Sequence, residues 1–140
     1  MDIRKITDTY SVAPQLLASE MQGVADAGFR TVICNRPDAE IPPPEHMSEI
    51  RKAAEAAGLT FLEHPIISGG MTMDDVTRQG ALLDQAEAPV LAYCRSGTRC
   101  TFVWALAMAG QMPVDEIEAA AARGGYDVSP LRAKIISLAG

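Results

Sequence analysis

The chain has 140 residues, 48% of them hydrophobic and 21% charged, which suits one domain built around a single core and leaves no room for a second. With 12 Lys and Arg against 18 Asp and Glu the formal charge is −6, which excludes a protein that wraps nucleic acid or coats an anionic membrane. Any anion it binds must be held by local geometry.

The first ten residues, Met1 to Tyr10, are polar and of mixed charge, unlike a signal or transit peptide. The longest apolar stretch, Phe102 to Ala109, falls far short of the roughly 20 residues that span a bilayer, so a cytoplasmic location is expected. Three cysteines, Cys34, Cys94 and Cys100, are too few and odd in number for a disulfide framework. His46 and His64 lie in no metal-ligand spacing, and no cofactor motif is present, so neither metal nor cofactor is expected. The cysteines are therefore core residues or reactive thiols.

Val12 to Ala27 carries Leu17, Met21 and Val24 at helical spacing, and Gly28 follows where a left-handed cap belongs. Arg30 to Cys34 is a short β-branched strand ending in the loop Asn35-Arg36-Pro37-Asp38. Met47, Ile50, Ala54 and Ala57 define a second helix stopped by Gly58, and Thr60 to Ile67 reads as a strand ending at Ser68-Gly69-Gly70. Thr72 and Asp75 form a capping box that opens a helix through Val76, Leu83 and Ala86. Pro89 to Tyr93 is continuously apolar, as in a strand buried on both faces. After Cys-Arg-Ser-Gly-Thr-Arg comes an apolar helix from Cys100 to Ala109, closed by Gly110, then helices over Val114 to Arg123 and Pro130 to Leu138, the last with Ser129 as its N-cap. Helices alternating with short strands predict a single α/β domain over residues 1–140 with a largely parallel sheet. Its ligand belongs beyond the carboxyl ends of the strands, where Asn35-Arg36, Ile67-Ser68-Gly69 and Cys94 to Arg99 should share one rim.

The last of these loops carries the chemistry. A cysteine ending a buried strand, a loop containing Gly97, and an arginine opening a buried helix form an anion cradle with a thiol at its floor. Backbone N–H groups of Arg95, Ser96, Gly97 and Thr98 turn inward, the helix adds its positive end, and Arg99 supplies a planar fork for a tetrahedral oxyanion. Such surroundings pull the Cys94 thiol below its ordinary value of about 8.5.

With Gly28 to Ile33, Asn35 to Asp38 with Glu40, His64-Pro65-Ile66, and Ala92 to Arg99 with Trp104-Ala105-Leu106, nearly the whole chain resembles the small bacterial proteins grouped as domain of unknown function 442. These are also described as the protein-phosphatase-like domains of beta-lactamase hydrolase-like proteins and as sulfur transferases, and some are fused to a metallo-hydrolase domain that this sequence lacks. The resemblance implies a fold similar to dual-specificity cysteine phosphatases, with Cys94 and Arg99 as catalytic residues.

Two features bear on which reaction runs. Four residues separate Cys94 from Arg99, the spacing of a rhodanese loop, where cysteine phosphatases have five. Similar phosphatases carry an acidic Asp upstream, and Leu62 to Gly70 contains none; Asp74 and Asp75 are better read as charges at a helix start. Expelling an alkoxide needs a general acid, whereas transfer of sulfane sulfur from thiosulfate expels sulfite and does not. The sequence reading therefore puts first a sulfurtransferase that carries a Cys94 persulfide. Its partners would be a small sulfur-containing anion or low-molecular-weight persulfide and a thiol acceptor, which could be a protein, with no nucleic acid and no membrane. A phosphatase acting through phospho-Cys94 comes next, and a non-catalytic anion-binding module last.

Around the loop, Arg36 either adds charge to the rim or pairs with Asp38 or Glu40. His64 either contacts substrate or packs, and Asn35 holds the loop. Tyr93 stands where phosphatases have a histidine and is expected to pack, and Met47, Met71 and Met73 read as core or lid. Cys100 replaces the Ser or Thr that follows the arginine in relatives. As a weaker donor it should leave Cys94 less stabilised as thiolate, and it is either a resolving cysteine or a small apolar residue.

Overall fold

The computed structural model describes residues 1–140. Five strands form one sheet in the order β1-β2-β5-β3-β4, with β1 (Arg4–Lys5), β2 (Tyr10–Ala13), β3 (Thr31–Cys34), β4 (Thr60–Glu63) and β5 (Val90–Tyr93). Only β1 is antiparallel; β5 pairs in parallel with both β2 and β3, so the strand that leads into Cys94 lies at the centre. The fold is a mixed α/β domain with a parallel-rich sheet flanked by helices, as the alternation of elements predicts.

Period-two alternation sends successive residues of β5 to opposite faces. Leu91 and Tyr93 pack with α1 (Met21–Asp26) and α2 (Met47–Ala56) through Met21, Val24, Ile50 and Ala54. Val90, Ala92 and then Cys94 face the other layer, built by α4 (Thr98–Ala107), α5 (Val114–Arg123) and α6 (Arg132–Ala139), with α3 (Met73–Gln85) packed beside α4. Trp104 of α4 is buried there and stacks on Tyr10, ring centroids 6.0 Å apart. Trp104→Ala should remove about 3–5 kcal/mol of stability, read as a lower urea midpoint with the slope unchanged.

Four boundaries differ from the sequence reading, one of them that of α4, which runs from Thr98 to Ala107 and not from Cys100 to Ala109. Val12 and Ala13 belong to strand β2, not to a helix; Pro14 ends the strand, a 3-10 turn fills Ala18–Glu20, and α1 starts only at Met21. The strand expected over Thr60 to Ile67 stops at Glu63: His64 and Ile66 still donate backbone bonds to Cys34, the last residue of β3, and to Asn35 after it, but Pro65 between them has no N–H to give and the regular ladder ends. Ser129 is not an N-cap: it opens a 3-10 turn, its own N–H bonded to Asp127 at 2.9 Å, and α6 begins at Arg132. The Thr72–Asp75 capping box forms as read, with reciprocal bonds of 2.9 and 3.2 Å.

Candidate active site

Cys94 is the first residue beyond β5, buried at 1% exposure beneath the loop that leads into α4. Gly97 takes a left-handed conformation, φ 89°, and the peptide that it shares with Ser96 points its N–H at the Cys94 sulfur, 3.2 Å away. Thr101 bonds the Gly97 carbonyl at 2.8 Å and locks the loop to the helix. The opening of α4 thus aims its positive end into the cradle.

The electrostatics follow from those donors. The adjacent Cys100 thiol is the largest influence on Cys94, and with the surrounding N–H groups of Cys100, Ser96 and Gly97, the last bonded to the sulfur, it outweighs burial and lowers the thiol to about 5. Cys100 itself is fully buried, and burial together with its neighbour pushes it well above the usual thiol range. Because the folded chain favours the ionised form, the contribution of Cys94 to stability is complete above the unfolded thiol's value and is lost as pH falls through about 5. Alkylation of Cys94 by iodoacetamide should reach half its maximal rate near pH 5, and Cys100→Ala should move that midpoint upward; midpoints near the ordinary thiol value in both proteins would remove the ionised thiol from the site.

Arg99, 11% exposed, holds a fixed pose. Its Nη1 donates to the carbonyls of Ile66 at 2.8 Å and Asn35 at 3.4 Å, while both Nη atoms grip the Glu40 carboxylate at 3.1 Å. Nε and one Nη2 hydrogen remain for a ligand. Burial alone would raise the Glu40 carboxyl, but hydrogen bonds from Arg99 and Arg36 hold it below the usual carboxylate range.

The cleft over Cys94 has a volume of about 940 Å³. Arg95, Ser96, Thr98 and Arg99 form one end, the segment Ile67 to Gly69 with Met71, Thr72 and Met73 forms a wall, and α4 supplies Phe102 and Leu106. Of the rim expected from the three strand ends, the segments at Ile67 and Cys94 are present. The third, Asn35-Arg36, is not part of the lining. Arg36 pairs with Glu40 at 3.1 Å and bonds Gln15 at 3.2 Å, the loop salt bridge and not the rim charge. His64 is also outside the cleft, buried at 2%, with Nδ1 2.6 Å from Gln79 Oε1 and Nε2 3.8 Å from Asp75, so it packs and does not reach a ligand. Asn35 bonds the His64 carbonyl at 2.9 Å and Gln79 at 3.0 Å, holding the loop as expected, and Tyr93 is buried on the opposite face.

Sequence reasoning missed three contributors: Glu40 as the partner of Arg99, Tyr126 against the cradle loop, and Leu131 with Lys134 closing the far wall. A carboxylate within Asn35 to Glu40 was a usable signal for the first, since a buried arginine needs a counter-charge. Nothing local marks the others.

The family model for the beta-lactamase hydrolase-like protein, phosphatase-like domain, matches residues 2–111. This chain belongs to that family. The phosphatase-like domain is 32% identical over 130 residues to a beta-lactamase hydrolase-like protein of Xylella fastidiosa, strain Temecula1, covering 91% of this chain but 30% of the relative, so it spans under a third of the length of the curated relatives it matches. Among solved structures, a Neisseria meningitidis protein proposed to be a phosphatase superposes with a TM-score of 0.84 at 36% identity, covering 99% of each chain. The core catalytic domain of the PP-IP phosphatase of S. cerevisiae shares the fold alone, with a TM-score of 0.70 at 10% identity over 98% of this chain and 84% of that one. This is a cysteine-phosphatase-like fold, the one the sequence resemblance implied. No helix of the domain is long and apolar enough to cross a membrane.

Proposed function

We propose that the domain is a cysteine-dependent hydrolase of phosphomonoester-type oxyanions, working through a covalent adduct on Cys94. The observation that carries this reading is the pairing, in the lining of one cleft, of a buried thiol lowered to about 5 with an arginine whose Nε and one Nη2 hydrogen bond no protein acceptor. Phosphatases among the structural neighbours support hydrolysis over the sulfur transfer that the loop spacing suggested.

In the first step the Cys94 thiolate attacks phosphorus, the S–P bond forms and the P–O bond to the leaving group breaks. Inward N–H groups and Arg99 take up the charge on the equatorial oxygens. In the second step water attacks the phosphocysteine, the S–P bond breaks, and phosphate and a proton leave with the thiolate restored. Asp and Glu are absent from the lining of the cleft, so neither the departing oxygen nor the attacking water is served by a carboxylate.

That absence is the specific support for a second reading, persulfide transfer through Cys94, in which the leaving sulfite needs no proton. Intact mass after exposure to thiosulfate, and separately to p-nitrophenyl phosphate, tests the choice. Release of p-nitrophenol that depends on Cys94, with no stable sulfur adduct, is the expected result. One added sulfur atom without phosphate hydrolysis would reverse the order.

A further inference from the structure

The cleft is much larger than an oxyanion and asymmetric in character. Apart from the Cys94 thiolate, its charged lining groups, Arg95, Arg99 and Lys134, are cations in a chain of net charge −6. Beyond the cradle, Thr98, Phe102 and Leu106 recur at four-residue spacing along one face of α4, a floor of about 12 Å at 1.5 Å per residue. Met73 and Val76 of α3 and Leu131 beside α6 wall this floor on either side. Along the floor between the cradle and Lys134 no side chain is charged, so the groove accepts an apolar body there and leaves a charged one without a partner.

Building on the hydrolase reading, we propose that the substrate is an amphiphilic anion: an oxyanion head seated over Cys94 and an uncharged apolar tail laid along α4 toward Leu106 and Leu131. Protection of Cys94 from iodoacetamide by methyl-, butyl- and octylphosphonate tests this without requiring turnover. Each added methylene that enters the groove should tighten protection by about fourfold until the chain outruns the floor, and Leu131→Asp should flatten the dependence on length. Equal protection by all three phosphonates overturns the proposal, as does stronger protection by a short phosphotyrosine peptide, which would make the groove a protein-substrate site. Length-dependent protection without any hydrolysis of p-nitrophenyl phosphate leaves the groove standing and removes the hydrolase.

A second observation is independent of substrate. The Tyr126 hydroxyl donates to the Ser96 carbonyl at 2.8 Å, and the Gly97 N–H of that same peptide unit points at the Cys94 sulfur from the other side. A trans peptide directs its C=O and N–H in opposite directions, so a bond that holds one aims the other. Tyr126 lies so close that a Cβ on Gly97 would overlap its hydroxyl, and the Arg4 guanidinium, 5.8 Å from the ring centroid, backs it. We infer that Tyr126 is a positioning residue that keeps the Ser96–Gly97 peptide turned toward the thiolate.

Tyr126→Phe removes only the hydroxyl. The midpoint of Cys94 alkylation against pH should rise by about one unit, with slower alkylation below the new midpoint. A folded Tyr126→Phe protein with an unchanged midpoint overturns the assignment, even if it melts at a lower temperature, because a purely structural tyrosine would alter stability and leave the thiol's titration alone.

Discussion

Cys94→Ser is expected to lose turnover by on the order of 10⁴-fold or more, with no covalent phosphoryl adduct detectable by intact mass. The cradle that lowers a thiol to about 5 starts, for serine, from a hydroxyl that is not ionised at any working pH, so the same donors have no anion to stabilise. The cavity, the Arg99 fork and the Glu40 pair are untouched by the exchange of sulfur for oxygen, so phosphonate binding should survive while kcat falls. A Cys94→Ser protein that still releases p-nitrophenol at a readily measured fraction of the parent rate would place the nucleophile elsewhere.

Hydrolysis should also depend steeply on the leaving group. Aryl phosphates with acidic phenols depart unaided, whereas an alkoxide needs a proton, and the wall formed by Ile67, Ser68 and Gly69 offers none. General acids contribute typically 10²–10⁴-fold, and kcat/KM for alkyl phosphates should fall below that for p-nitrophenyl phosphate by at least that range. Comparable rates for the two classes would reveal an acid reaching the cleft. Neither Asp75 nor Glu40 is free to donate that proton, since Asp75 is spent on the α3 cap and Glu40 is ionised and gripped by two arginines.

What the sequence made legible was local. Cys94 to Arg99 could be read as a cradle because strand, loop and helix follow one another within a dozen residues, and Thr72 with Asp75 marked a helix start for the same reason. Tyr10 to Ala13 was hidden because four residues carry too little alternation to compete with the helical spacing of Leu17, Met21 and Val24 that follows. Its strand character comes from pairing with Val90 to Tyr93, eighty residues away in the chain, which no local pattern reports. The same limit hid Tyr126, Leu131 and Lys134, whose roles exist only once α5 and α6 pack against α4. The reading of Arg36 and His64 stayed open because both residue types serve equally well at a rim or in a packed network. Partners decide between the two, and these are Glu40 and Gln79.

The wall opposite the cradle differs from the rest of the cleft in how it is held. Ile66 is anchored by accepting from Arg99, but Ile67 is 69% exposed and Ser68 to Gly70 are open to solvent, with little packing to disturb. The nucleophile and its arginine are tied into the sheet and are costly to alter, while Ile67 and Ser68 can change side chains at small cost to stability, unlike Gly69, whose φ of 73° strains any side chain. Selection acting on a scaffold of this kind can exchange one reaction for another by rewriting a few solvent-facing positions: a carboxylate here would supply a proton donor, and its loss would favour leaving groups that need none. Divergence of chemistry within the family is then expected to concentrate at Ile67 and Ser68, with the cradle itself held nearly constant.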